Sequence, residues 1–226
     1  MNEIIFVVIL IISLLSIYCL YKIFDKPGLY YNLIIFIETA IISSFKIMKI
    51  FNFNLNINII LLVSIMTIVY ILLTKYNVKE TKNIIRISSI TIIFSTLILL
   101  ILSYYIPSIN DTIAINIKST FIHNYKVLIS LPLTLLGGII STIKLYQFIN
   151  KLQDNIYINI ILTYIITGLI YTVIFQIFGY LNIIDIYNSI FIGLTSYLFG
   201  LIITITQLSI INLILNQKKV REWTIY

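Results

Sequence analysis

Seven apolar runs, near residues 3–22, 29–50, 57–76, 84–106, 126–149, 157–180 and 187–215, follow one another with only short polar stretches between them. Each is long enough to cross the hydrocarbon core of a bilayer, which takes roughly 20 mainly apolar residues as a helix. A water-soluble domain alternates polar and apolar faces, and a chain with 60% hydrophobic residues, 10% charged residues and a mean hydropathy of +1.07 has too little polar surface for that. The expectation is an all-α fold: a polytopic integral membrane bundle of about seven transmembrane helices, forming one membrane domain over 1–226.

The first run differs from a secretory signal, because Glu3 opens it where a basic region would stand and it continues to Tyr21 and Lys22. It reads as a retained helix. Cys19 is the single cysteine, so no intrachain disulfide can form, and inside a span its thiol acts as a small apolar group.

Basic residues are retained on the cytoplasmic side. With the N-terminus outside, the cytoplasmic segments hold eleven: Lys22, Lys26, Lys75, Lys79, Lys82, Arg86, Lys144, Lys151, Lys218, Lys219 and Arg221. The other side holds four, Lys46, Lys49, Lys118 and Lys126. This predicts a multi-pass protein of the cytoplasmic (inner) membrane with its N-terminus outside and its C-terminus in the cytoplasm. The formal charge of +7 then reflects topology and attraction to anionic lipid, and calls for no nucleic acid. The longest connection, 107–125, starts at Pro107 with Ser108, Asn110 and Asp111 in turn-forming order.

Catalytic chemistry is not indicated. There is one histidine, His123, with no acidic neighbour closer in sequence than Asp111, and no paired acid and base at bilayer depth, so the chain reads as a non-enzyme. A lone histidine without a spaced second ligand makes no metal site, and the expected cofactor list is empty.

Glu38 lies about ten residues into the second run, and a carboxylate at that depth requires a partner or a wet cavity. Its two readings are a hydrogen-bonded packing residue and a ligand- or proton-handling carboxylate. Small and polar residues also recur at helical spacing: Gly193, Ser196, Gly200, Thr204 and Gln207 in run seven, and Thr163, Thr167 and Tyr171 beside Gly168 in run six. Run five carries Pro132 and Gly137-Gly138, a combination that predicts a kink or a local opening. Such stripes serve either close helix packing or an interior pocket.

The segments GLYYNLIIF from Gly28, TKYNVKET over Thr74 to Thr81 and TYIITGLIYTVIF over Thr163 to Phe175 together resemble the queuosine-precursor transporter family, the vitamin-uptake-like (VUT) transporters. Lys75, Tyr76, Lys79, Glu80, Thr172 and Phe175 match its pattern, and the likeness covers nearly the whole chain after residue 20. The departures fall on polar positions. Tyr70 and Thr74 stand where the family has Asp and Glu, Ile41 and Ser43 where it has Asn and Gln, and Tyr171 where it has a membrane Asp. The resemblance implies uptake of a small nucleobase-like solute of the deazapurine kind, or a divergent member that keeps the fold while its ligand differs or its transport function has decayed.

The sequence reading is therefore a transporter of a small organic solute, with Glu38, Ser43, Ser64, Tyr70, Thr163, Thr167 and Tyr171 as candidate substrate-binding residues and alternating access as the mechanism. The lipid bilayer is its first partner, and a homo-oligomer or an energising subunit is compatible with it, since no GxxxxGK[ST] loop is present to handle ATP. The alternative is a non-transporting scaffold or assembly subunit, anchored by its small-residue faces and by the tail carrying Lys218, Lys219, Arg221 and Trp223.

Overall fold

The computed structural model describes residues 1–76, 80–104, 125–180 and 183–216, without the side chain of Ser103. Among the described residues seven helices carry the fold: α1 (Asn2–Phe24), α2 (Lys26–Ser43), α3 (Ile59–Tyr76), α4 (Thr81–Tyr104), α5 (Tyr125–Ile149), α6 (Ile156–Tyr180) and α7 (Ile186–Asn216). All but α2 are long and apolar enough to cross a membrane. The protein is an all-α polytopic membrane bundle.

Six helices form a closed ring, with α1 against α2, α2 against α4, α4 against α5, α5 against α6, α6 against α7, and α7 back against α1. α3 stands inside it, packed chiefly on α2 and α7. Its burial is nearly complete: from Leu62 to Leu73 every residue is buried, whereas α1 and α4 bury only single stripes and turn apolar residues outward. In hydrocarbon this outward face is the comfortable one, so what marks the interior is small and polar residues rather than apolar ones.

Two windings depart from expectation. α5 runs unbroken from Tyr125 to Ile149 with Pro132 inside it, and it also passes through Gly137 and Gly138 without interruption. The irregular winding lies in α6, where Ile170–Ile174 form a π-helix between two α-helical halves. α6 starts at Asn155, whose side chain accepts from the backbone N–H of Tyr157 and Ile158 and so caps two otherwise orphaned donors.

The second helix is also shorter than its apolar run. α2 ends at Ser43, and 47–56 fold into a hairpin of β1 (Ile47–Ile50) and β2 (Phe53–Asn56), paired antiparallel with Ile47 opposite Asn56 and Ile50 opposite Phe53. The turn residues Phe51 and Asn52 both have positive φ, 46° and 65°, as the two central positions of a type I′ turn require. Lys46 and Lys49 therefore belong to the hairpin region and not to the helix bearing Glu38. Asn56 fastens the hairpin to the bundle: its Nδ2 donates to the Ser44 carbonyl at 2.9 Å, and its N–H donates to Ser196 Oγ at 3.1 Å. Tyr180 donates to the same Ser44 carbonyl at 2.6 Å, and Thr195 donates to the Asn54 carbonyl at 2.6 Å.

The connection 107–124, with Pro107, Ser108, Asn110, Asp111, Lys118 and His123, lies outside the described residues, as do Lys79, Asn182 and the tail with Lys218, Lys219, Arg221 and Trp223.

Candidate functional site

Because α3 is enclosed, each polar side chain it carries must find its partner inside the bundle. Ser64, Thr67 and Tyr70 follow one another at three-residue steps, and all three are buried. Gln207 of α7 reaches Ser64 and Thr67 through the two ends of its amide. Its Nε2 donates to Ser64 Oγ at 2.9 Å, and its Oε1 accepts from the Thr67 hydroxyl. Ser64 passes its own hydrogen to the Ile60 carbonyl at 2.8 Å. This network joins α3 to α7 wholly through neutral groups.

Beside it lies a cluster of tyrosines. Tyr70 is 1% exposed and its ring centroid lies 5.4 Å from that of Tyr146 on α5. Tyr164 and Tyr171 of α6 approach from the other side. Two glycines make room for them: a Cβ on Gly138 would stand 2.1 Å from the Tyr171 ring, and one on Gly200 would stand 1.8 Å from the Tyr164 hydroxyl. Gly138 of run five and Gly200 of run seven are thus sockets for aromatic rings. Tyr171 donates to the Leu135 carbonyl at 3.4 Å. The hydroxyls of Tyr70, Tyr146 and Tyr164 and of Thr142 on α5 are buried and meet no hydrogen-bond partner among the described residues. Thr167 stands beside the Tyr70 hydroxyl and Thr74 beside that of Tyr146; Thr167 gives its own hydrogen to the Thr163 carbonyl at 2.9 Å, Thr74 to the Tyr70 carbonyl, and Thr163 to the Asn159 carbonyl at 2.7 Å. A buried hydroxyl without a partner is unfavourable by roughly 1–3 kcal/mol, so several in one cluster are a concentrated expense at bilayer depth.

Of the seven residues expected from sequence, Ser64, Tyr70, Thr163, Thr167 and Tyr171 are fully buried in this interior. Two are elsewhere. Ser43 is half-buried at the end of α2 and returns its hydroxyl to the Ala40 carbonyl at 3.3 Å. Glu38 is exposed on the outer surface of α2, on the face shared with Tyr31, Ile35 and Ile42, and takes part in no hydrogen bond or ion pair among the described residues. Its expected place in a pocket lining gives way to an outward one. The reason is helical phase: Gly28, Asn32, Phe36 and Ala40 form the buried stripe of α2, and Glu38 lies half a turn away from it. Thr67, Thr142, Tyr146 and Tyr164 were absent from the expected set. Their signal was present in the spacing, with Thr142 and Tyr146 one turn apart on α5 and Tyr164 one residue from the Thr163–Thr167 stripe.

A second polar cluster closes the end of the bundle opposite the hairpin. Glu80 accepts from Lys26 Nζ at 2.7 Å, from the Tyr30 hydroxyl at 2.6 Å and from Asn83 Nδ2 at 3.4 Å. Burial by itself would raise the Glu80 pKa, but the hydrogen bonds from Lys26, Tyr30 and Asn83 reverse this and hold the carboxyl below its ordinary 4.5. Next to it Tyr76 donates to Asp25, and Lys75 donates to the Ile214 carbonyl at 2.5 Å with its ammonium 4.7 Å from the centre of the Tyr21 ring.

Among the described residues no group of three His, Cys, Asp or Glu side chains is placed to hold a metal ion. Compared with protein-family models, curated proteins and solved structures, the chain matches none.

Proposed function

We propose that the protein is a transporter of a small organic solute, and that the interior formed by α3, α5, α6 and α7 is its solute path in a closed state. One observation carries the reading: hydroxyls of Tyr70, Tyr146, Tyr164 and Thr142 are buried together with no hydrogen-bond partner among the described residues, beside the Gln207 network. A static bundle gains nothing from such groups, whereas a carrier needs donors and acceptors that a solute can engage when helices part. Ser64, Tyr70, Thr163, Thr167 and Tyr171 remain as candidate lining, joined by Tyr146, Tyr164 and Gln207. The resemblance to queuosine-precursor transporters makes a deazapurine the first solute to try. The same reading keeps the cytoplasmic membrane as its place, with the N-terminus outside, and a reporter fused to the C-terminus that works only outside the cell would overturn that orientation.

The deciding assay is uptake of labelled deazapurine precursors and other nucleobases into cells lacking their own importer. The expected result is saturable uptake that drops at least about tenfold in Tyr70→Phe, with the protein present in the membrane at the normal level. No uptake of any nucleobase-like solute overturns the proposal.

A second reading, a non-transporting assembly subunit, draws on the filled Gly138 and Gly200 sockets and on the outward Glu38. Its distinguishing outcome is a stable complex with another membrane protein, isolated in detergent, that Glu38→Gln disrupts and Tyr70→Phe leaves intact.

A further inference from the structure

The interior between α3, α5, α6 and α7 is built from neutral side chains. Among the described residues Glu80 is the one charged side chain that is buried, and Lys26, Tyr30 and Asn83 hold it at the end of the bundle opposite the hairpin. Glu38 is turned to the outer surface. The polar groups gathered beside Tyr70 are hydroxyls and the Gln207 amide, none of which ionises near neutral pH.

These groups divide by what they can still offer. Tyr70, Tyr146, Tyr164 and Thr142 each keep an O–H hydrogen that meets no partner among the described residues. Thr163 and Thr167 have already placed theirs on carbonyls of their own helix, so each offers oxygen lone pairs instead. The rings add flat apolar faces, that of Tyr70 tilted at 46° to that of Tyr146. An occupant of matching chemistry is flat and aromatic, with acceptors for the free O–H groups and a donor for the threonine oxygens. A net charge does not match. An ion moved from water into this interior would lose its hydration and meet dipoles but no opposite charge.

We propose that the solute passes in uncharged form: the site takes planar, neutral heteroaromatic molecules and rejects the same ring carrying an ammonium or a carboxylate group. This rests on the transport reading and narrows it, since nucleobase-like rings occur as cations, neutral molecules and anions alike.

The test uses the full chain in liposomes, with labelled adenine as the probe and hydroxyethyl-, aminoethyl- and carboxymethyl-adenine as competitors. The three arms are of similar size, so near neutral pH the competitors differ chiefly in charge. Hydroxyethyl-adenine is expected to compete with adenine. The two charged derivatives should compete at least about a hundredfold less well, the effect of an unpaired buried charge. Tyr164→Phe should weaken adenine uptake about fivefold, through loss of one hydrogen bond to the solute. Its melting temperature should stay level or rise, because the hydroxyl it removes has no partner among the described residues. Competition by either charged derivative within about threefold of hydroxyethyl-adenine, or unchanged uptake in Tyr164→Phe, overturns this inference alone. No protein-dependent uptake of adenine or its derivatives removes the transport reading and this inference with it.

Discussion

At the hairpin end the helices are tied together chiefly by backbone and neutral side chains, with Asn56, Ser44, Ser196, Thr195 and Tyr180 sharing a set of short bonds, and the exposed Glu3 carboxylate adds a bond from the Phe51 N–H at 3.2 Å. At the opposite end they are tied by charge, through Lys26 and Glu80, Tyr76 and Asp25, and Lys75 over Tyr21. The difference has a physical consequence. Neutral hydrogen bonds respond little to salt and have no titration in the ordinary range, whereas a partly exposed ion pair is screened by salt and is lost when its carboxylate is protonated. One end of the molecule is therefore fastened chiefly by bonds that respond little to salt and pH and the other conditionally, which is the asymmetry a bundle needs if its helices are to part at one face first.

The strongest way to break the contrast is at the hairpin. Asn56→Ala removes the bond to the Ser44 carbonyl and the acceptor for the Asn58 N–H, and is expected to lower stability by about 2 kcal/mol. Denaturation in detergent should show this loss to be the same at pH 5 and pH 8 and the same in low and high salt. A loss that varies with pH would show that the hairpin end also relies on charge.

Glu80→Gln should give a smaller loss, about 1 kcal/mol, because Lys26 is about a third exposed and solvent screens the pair. Here the sign with pH is definite. The Glu80 carboxyl titrates below its ordinary 4.5 when folded, so its contribution is whole above that pH and disappears as the pH falls through the folded value. The wild-type melting temperature should drop in that acid window more steeply than that of Glu80→Gln, and parallel curves would remove Glu80 as the source.

The smallest effect belongs to Glu38→Gln, on the outer surface away from both ends. Stability of the isolated chain should change by less than about 0.5 kcal/mol, and solute uptake should stay the same. A large fall in uptake would return Glu38 to the working machinery.

Much of this architecture was legible in the amino-acid order, for reasons that also explain the failures. Six spans were plain because crossing hydrocarbon imposes a length, and α5, α6 and α7 begin and end within one residue of the expected bounds. The stripes Thr163–Thr167–Tyr171 and Ser196–Gly200–Thr204–Gln207 pointed inward as read, since close-packed membrane interfaces select small and hydrogen-bonding side chains. The hairpin was hidden because Ile47, Met48 and Ile50 prolong an apolar run, and length alone cannot separate a strand from the end of a helix. Its trace was the alternation of Phe and Leu with Asn over 51–56, a period of two that a helix does not need. Glu38 was misplaced because its chemistry was weighed before its phase, and the Gly28–Asn32–Phe36–Ala40 stripe fixed the inner side of α2 opposite to it.

The widened coil at Ile170–Ile174 holds one residue more per loop of chain than the rod on either side of it. If that surplus were taken up and the stretch rewound at 3.6 residues per turn, Phe175 to Tyr180 would swing by roughly 100° about the rod's axis. Such a swing would pull the Tyr180 phenol off the Ser44 carbonyl, which Asn56 also holds, and lift the Tyr171 ring from its socket at Gly138. A single slipped residue in mid-helix would thus unlock the neutral clasp and loosen the aromatic plug together, like one pin withdrawn from two hinges.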